Sequence, residues 1–247
     1  LDGVFGTLIT GTFSPIFWTA IYLVINIVIV AGGIGAGIEK ASKWMMPALF
    51  VLLIILVVRS LTLPNAGEGL KYMFAPDWSK LSGGVALAAM GQAFFSLSLG
   101  MGCMITYSSY LSKDENLVSN AFIVPGMDTL VAILAGMVII PAAISFNFEV
   151  GAGPGLVFVT VPAIFATMGP VVGKLFGIIF FVLIALAAIT SSISLLEVIV
   201  SYLIDEKNMT RKKAVGATSV ILFIMCIAAS MSLGDWSGFT ILGNGIF

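Results

Sequence analysis

The stretch Gly91-Gln92-Ala93-Phe94-Phe95-Ser96-Leu97-Ser98-Leu99-Gly100-Met101-Gly102 lies in the middle of a long uncharged run. Two glycines at one remove, preceded by two serines, weaken a helix. Backbone that unwinds at membrane depth must then be satisfied by protein, water or a ligand. A helix broken there offers free N–H groups on one half and free carbonyls on the other, groups that can hold a carboxylate and a cation. The same small residues also suit a face on which helices pack closely, and composition alone leaves both readings open.

A second constellation is Ala187, Thr190, Ser191, Ser194 and Leu195. Positions i, i+3, i+4, i+7 and i+8 share one helix face, so a helix here carries a stripe of hydroxyls. Hard cations such as Na+ take oxygen ligands, by analogy with the oxygen shells of other hard ions. The other reading is that these hydroxyls bond back to their own helix carbonyls or join neighbouring helices. Two acids, Asp128 and Glu197, also fall within apolar runs. A charge at that depth costs about 3 kcal/mol or more, which makes each a functional candidate. Pro125-Gly126 loosens the chain just before Asp128, beside an ion-sized site, although a purely structural hydrogen bond would also account for the acid. For Glu197, structural pairing and function stand level.

The elements that must position these groups follow from composition. Of 247 residues, 60% are hydrophobic and 9% are charged, with no histidine; a soluble domain carries about 25% charged residues to hydrate its surface. The chain is therefore read as a multi-pass membrane protein. A helix needs about 20 apolar residues to cross the hydrocarbon core, and the spacing of charges predicts six spans, at 15–34, 44–63, 84–108, 120–143, 172–204 and 214–233. Lys40, Lys43, Lys113, Lys207, Arg211, Lys212 and Lys213 fall on one side, against Arg59, Lys71, Lys80 and Lys174 on the other. The richer side is expected in the cytoplasm, so the first span begins outside. That start, and a first residue that is Leu1 with no signal-peptide pattern, lead us to expect a piece of a longer protein. The 64–82 loop reads as irregular and external. The 145–169 loop, broken by Gly151-Ala152-Gly153-Pro154-Gly155, reads as a helical hairpin in an outer vestibule or as an ordinary amphipathic surface helix.

The net charge of −1 argues against a nucleic-acid partner, since phosphate binding needs clustered Lys and Arg. Cys103 and Cys226 both sit in apolar runs, with neither a disulfide framework nor zinc-type spacing. Enzyme readings are weak. Without histidine there is no serine–histidine or zinc-protease arrangement, and Asp235, the conceivable partner of Asp128 in an aspartyl pair, lies at a membrane edge. A channel would need a carbonyl-lined filter or a ring of charges, and neither is present.

The third span resembles helix 6 of the neurotransmitter:sodium symporters, the sodium-coupled amino-acid transporters of leucine-transporter type, in which broken helices bind substrate near the bilayer midplane. Gly37-Ile38-Glu39-Lys40, residues 91–107, Pro162-Ala163-Ile164-Phe165 and Thr190-Ser191-Ser192-Ile193 fall in the family's order and spacing. The resemblance implies an all-α, inverted-repeat transmembrane fold. The six spans would be its helices 4 to 9, with helix 6 unwound at mid-membrane and the 145–169 loop as the external helical hairpin. It further implies that Phe95 closes over substrate and that 96–102 contacts the substrate's amino group and side chain, with Ser96, Leu97, Ser98, Gly100 and Met101 as binding residues. Ser96 and Asp128 would be ligands of a first sodium site. The Ala187 carbonyl, Thr190 and Ser191 would be this helix's share of a second. Ser191, Ser194 and Leu195, with Met101, would line the side-chain pocket, and Gln92 would lie near the extracellular gate with Phe95.

Two departures from the family pattern shape the expected activity. Asp128 stands where asparagine is usual, and Ala132 one turn on, where relatives carry an acid or a small polar residue. A fixed carboxylate supplies the negative charge that chloride supplies elsewhere, so chloride-independent transport is expected. Met101 replaces an aromatic, and an unbranched thioether fills irregular space, so a pocket for large apolar or aromatic amino acids is expected. The resemblance thus implies a sodium-coupled importer of neutral amino acids in the cell membrane, a bacterial inner membrane by its type. Na+ is the co-transported ion, and no organic cofactor is needed. The alternative is a nontransporting relative that binds or senses amino acids. The family's first three helices and those from the tenth onward are not matched by this chain, and the sequence leaves the oligomeric state open.

Overall fold

The computed structural model describes residues 2–151 and 153–236, and the backbone of 240–241 and 244–245. In chain order the helices are α1 (Asp2–Thr10), α2 (Phe13–Ala31), α3 (Ile34–Leu61), α4 (Ala66–Phe74), α5 (Gly83–Ser96), α6 (Cys103–Ser109), α7 (Leu117–Ser145), α8 (Gly153–Thr167), α9 (Val172–Asp205) and α10 (Arg211–Ser232). A two-residue antiparallel pairing, Thr240–Ile241 with Asn244–Gly245, follows. Five of these helices, α2, α3, α7, α9 and α10, are long and apolar enough to cross a membrane. Their surfaces are rich in exposed apolar side chains, with Phe13 80% and Ile105 of α6 79% exposed. Apolar surface on that scale suits lipid or further protein rather than water.

Two boundaries are informative. The span expected at 84–108, unwound at mid-membrane in the family's pattern, is two helices, α5 and α6, with 97–102 in turns and a bend between them. The span expected to begin at 44 begins at Ile34. Gly32-Gly33 ends α2, and the chain restarts as a π-helix over Ile34–Glu39 in which the amide of Ile38 bonds the carbonyl of Gly33. Lys40 and Lys43 therefore sit in helix rather than loop, and Lys43 pairs with Glu39 one turn back at 2.7 Å. The 145–169 loop contains, among the described residues, one helical run, α8, whose 156–160 segment is a π-helix.

The chain divides into two compact units, Pro47–Ile184 and Leu1–Met46 with Ala185–Phe247. The core of the first is built from Leu53, Leu56 and Val57 of α3, Val138 of α7, Val161 and Phe165 of α8, and Phe180 of α9. Phe165 meets Phe180 edge to face at 5.6 Å, an arrangement that adds to simple area burial. Arg59, at the end of α3, lies over the Phe176 ring at 5.7 Å and donates to Thr62. Outside the spans, Asp77 caps the turn Trp78–Lys80. Its carboxyl is held below the usual range by the Ser79 hydroxyl first, then by Lys80 and the Ser79 amide.

In the same unit α4 lies against α7, and Gly69 is what allows it. A Cβ there would overlap Pro141. Overpacking of this kind costs about 1–3 kcal/mol. Gly69→Val in the full-length protein should therefore lower the melting temperature in detergent; an unchanged melting temperature would mean α4 is not seated there. In the second unit α2 packs on α10, with Val30, Ile193, Leu196, Val200, Ala214 and Val215 buried.

Candidate functional site

The break between α5 and α6 has a defined backbone. Leu97 and Leu99 still donate to the carbonyls of Ala93 and Phe94, but Ser98 then adopts φ 54°, and Gly100 and Gly102 both adopt φ 81°. The left-handed region is open to glycine at little cost and closed to most other residues. The ladder resumes where Thr106 donates to Gly102. The left-handed residues Ser98, Gly100 and Gly102 thus separate the end of α5 from the start of α6, which Gly102 caps, and the reading of this stretch as one continuous small-residue face does not hold. The last turn of α5 and first turn of α6 leave backbone groups without intrahelical partners, beside Phe95, which is 71% exposed, and Met101.

The break places Ser96 as the last residue of α5, where its side chain reaches α7. The Ser96 hydroxyl lies 2.8 and 2.7 Å from the two carboxylate oxygens of Asp128 and donates to them. One hydroxyl and one carboxylate converge from positions 32 apart in sequence. The hydroxyl keeps two acceptor lone pairs and the carboxylate most of its own, so the cluster is rich in oxygen acceptors. Such oxygen sets suit a hard cation. Gln92 is exposed on α5.

In the other unit the hydroxyl stripe of α9 forms a ladder along its own helix. Thr190 and Ser191 both donate to the Ala187 carbonyl, at 2.8 and 3.2 Å, and Ser194 donates to the Thr190 carbonyl at 3.0 Å. This is the back-bonding that Ser and Thr commonly make within helices. It gathers three oxygens, from Ala187, Thr190 and Ser191, at one point on the helix. Because each hydroxyl spends only its proton on the carbonyl, its lone pairs remain to face a cation. For the Thr190 and Ser191 hydroxyls, back-bonding and ligation are therefore compatible. Leu195, one turn below Ser191, is 46% exposed.

The model of the sodium:neurotransmitter symporter family matches residues 11–243. The chain belongs to this family. Its fold is similar to a solved structure, that of MhsT in complex with L-phenylalanine, which is 46% identical and superposes with a TM-score of 0.87 over 100% of this chain and 56% of that one. A sodium-dependent transporter of Haemophilus influenzae is 43% identical over 95% of this chain and 51% of its own length. The sodium-dependent serotonin transporter of Drosophila melanogaster is 35% identical over 80% of this chain and 34% of its own. The chain thus spans about half the length of the bacterial relatives it matches and about a third of the Drosophila one.

Sequence reasoning left one feature of this symporter chain undecided and missed another. Glu197 is fully buried and is paired with the guanidinium of Arg211, whose Nη1 lies 3.1 Å from Oε1 and whose Nη2 bonds Oε2. The Arg211 Nε also donates to the Val30 carbonyl at 2.8 Å. Arg211 is the first residue of α10 rather than a free loop cation. A cation at a helix N-terminus opposes the helix dipole, so its placement is explained by the buried carboxylate. The missed residues are Tyr22 and Asn26 of α2, which bond the hydroxyl of Ser192. The signal for Asn26 was present, a single amide in the apolar run 21–31. Asp235 accepts from Thr12 at 2.6 Å.

Proposed function

We propose that the protein containing this chain is a sodium-coupled symporter that imports neutral amino acids, with large apolar or aromatic side chains preferred, by alternating access. The observation that carries the reading is the Ser96–Asp128 cluster at the mouth of the unwound stretch. There a negatively charged oxygen set sits beside backbone groups freed by Gly100 and Gly102, so a cation and a zwitterionic substrate can be held next to each other. In this reading Ser96 and Asp128 bind one Na+, which the substrate carboxylate completes. Ala187, Thr190 and Ser191 contribute to a second. Phe95 closes over substrate with Gln92 near the outer gate, while Leu97, Ser98, Gly100, Met101, Ser194 and Leu195 contact it. Support for Na+ comes from relatives named for sodium dependence, and support for an aromatic substrate from the L-phenylalanine of the MhsT structure. Bacterial relatives support a bacterial inner-membrane location.

The test is uptake of labelled L-phenylalanine by the full-length protein in proteoliposomes with an inward Na+ gradient. Uptake should fall to background when Na+ is replaced by choline and should persist when chloride is replaced by gluconate, since Asp128 supplies the balancing charge. Sodium-dependent binding without uptake would select the nontransporting reading, and loss of uptake in gluconate would remove the charge argument.

A further inference from the structure

On α2, Tyr22 and Asn26 are one turn apart and face Ser192 of α9, all within one unit of the fold. The Tyr22 hydroxyl donates to Ser192 Oγ at 2.7 Å, Ser192 Oγ donates to Asn26 Oδ1 at 2.6 Å, and Asn26 Nδ2 donates to the Tyr22 carbonyl at 2.8 Å. The three bonds form a closed circuit. Asn26 is 2% exposed, and a buried amide that loses its partner incurs its full desolvation penalty. The Ser192 hydroxyl also reaches the Ile189 carbonyl of its own helix at 3.1 Å, but the shorter bond to Asn26 and the one from Tyr22 cross between helices, and the circuit resists rotation or sliding of α9 against α2.

Ser192 directly follows Thr190 and Ser191 in the same helix, so whatever holds Ser192 also sets the direction of those two hydroxyls and of the Ala187 carbonyl they share. We propose that Tyr22 and Asn26 are positioning residues for Na+ at the Ala187–Thr190–Ser191 oxygens, acting through Ser192 and without touching the ion. The inference rests on the sodium reading of that cluster. Partners that orient ligands in this way typically alter ion affinity by about 10–100-fold when removed. The effect belongs to Na+ affinity, because the circuit leaves the ligand atoms themselves in place.

The experiment is a Na+ titration of thermal stability of the full-length protein in detergent, with choline keeping ionic strength constant and Na+ as the probe. Tyr22→Phe deletes one oxygen, Ser192→Ala one hydroxyl, and Asn26→Leu the amide at similar volume. Each should move the Na+ midpoint up by about tenfold, while saturating Na+ gives the full wild-type increment. Tyr22→Phe combined with Ser192→Ala should be no worse than Ser192→Ala alone, since both cut one circuit. A lower melting temperature without Na+ and an unchanged midpoint would reduce the circuit to helix packing and overturn the proposal. Tyr22→Phe, the mildest change, keeps that outcome readable if Asn26→Leu does not fold. A wild-type protein with no Na+ response would overturn the sodium reading itself, and this inference with it.

Discussion

Asp128→Ala in the full-length protein should reduce Na+-dependent L-phenylalanine uptake to background and weaken the Na+-dependent rise in melting temperature, leaving the part contributed by the Ala187–Thr190–Ser191 oxygens. The substitution removes two oxygens and the only formal charge of the Ser96–Asp128 cluster. Orienting partners alone account for about 10–100-fold in metal affinity, so deleting a direct ligand should raise the Na+ midpoint by at least about 100-fold. Asp128→Asn separates ligand from charge. It keeps an oxygen for the ion and an acceptor for Ser96 but loses the negative charge, so its uptake should become stimulated by chloride where wild-type uptake is not. Ser96→Ala should weaken Na+ dependence less, because the carboxylate remains. Wild-type Na+ dependence in Asp128→Ala would sink the assignment. An Asp128→Asn protein that matched wild type with and without chloride would sink the charge argument.

Arg211→Ala should be strongly destabilising. Glu197 is fully buried, whereas the Arg211 side chain is 22% exposed. Removing the arginine leaves a buried carboxylate without its cation, a loss that costs about 3–5 kcal/mol in buried pairs, and also strips a donor from the Val30 carbonyl. Glu197→Gln should cost less, because Arg211 keeps Val30 and can turn toward solvent. The expected order of melting temperatures in detergent is wild type, Glu197→Gln, then Arg211→Ala. Adding Glu197→Gln to Arg211→Ala should recover part of the loss, since no charge is then buried alone. An Arg211→Ala protein that melts with wild type, or a Glu197→Gln protein that melts below Arg211→Ala, would show that the pair does not carry this energy. The pairing answers the open question on Glu197 in structural terms: its carboxylate is engaged by the first residue of α10.

Several features were legible because their causes are local. Charge spacing marks where the chain can remain in hydrocarbon, and this located α2, α7, α9 and α10 to within a few residues. The glycines at 100 and 102 marked the break, because a left-handed backbone is a property of the residue that adopts it. Helical periodicity put Ala187, Thr190 and Ser191 on one face. The start of α3 was not legible in the same way. Whether Gly32-Gly33 ends in a loop or turns into a π-helix depends on which carbonyl the Ile38 amide finds, and apolar content does not encode that choice. Lys40 and Lys43 looked like loop residues because a short charged stretch at a helix end reads as loop.

The sequence by itself determined that this is a multi-pass helical membrane chain; it marked the Gly100 and Gly102 stretch as a candidate break, and Asp128 and the 187–191 oxygens as candidate groups for a cation, while Ser96 entered through the family resemblance. The first follows from composition, and the others from period, backbone freedom and that resemblance. Only the tertiary structure decided the partners: Ser96 with Asp128, Arg211 with Glu197, and Tyr22 and Asn26 with Ser192. Each of these bonds joins side chains on different helices, and its existence depends on how helices rotate and slide against one another. Hydrogen bonds form over a few tenths of an ångström, a precision that only packing supplies.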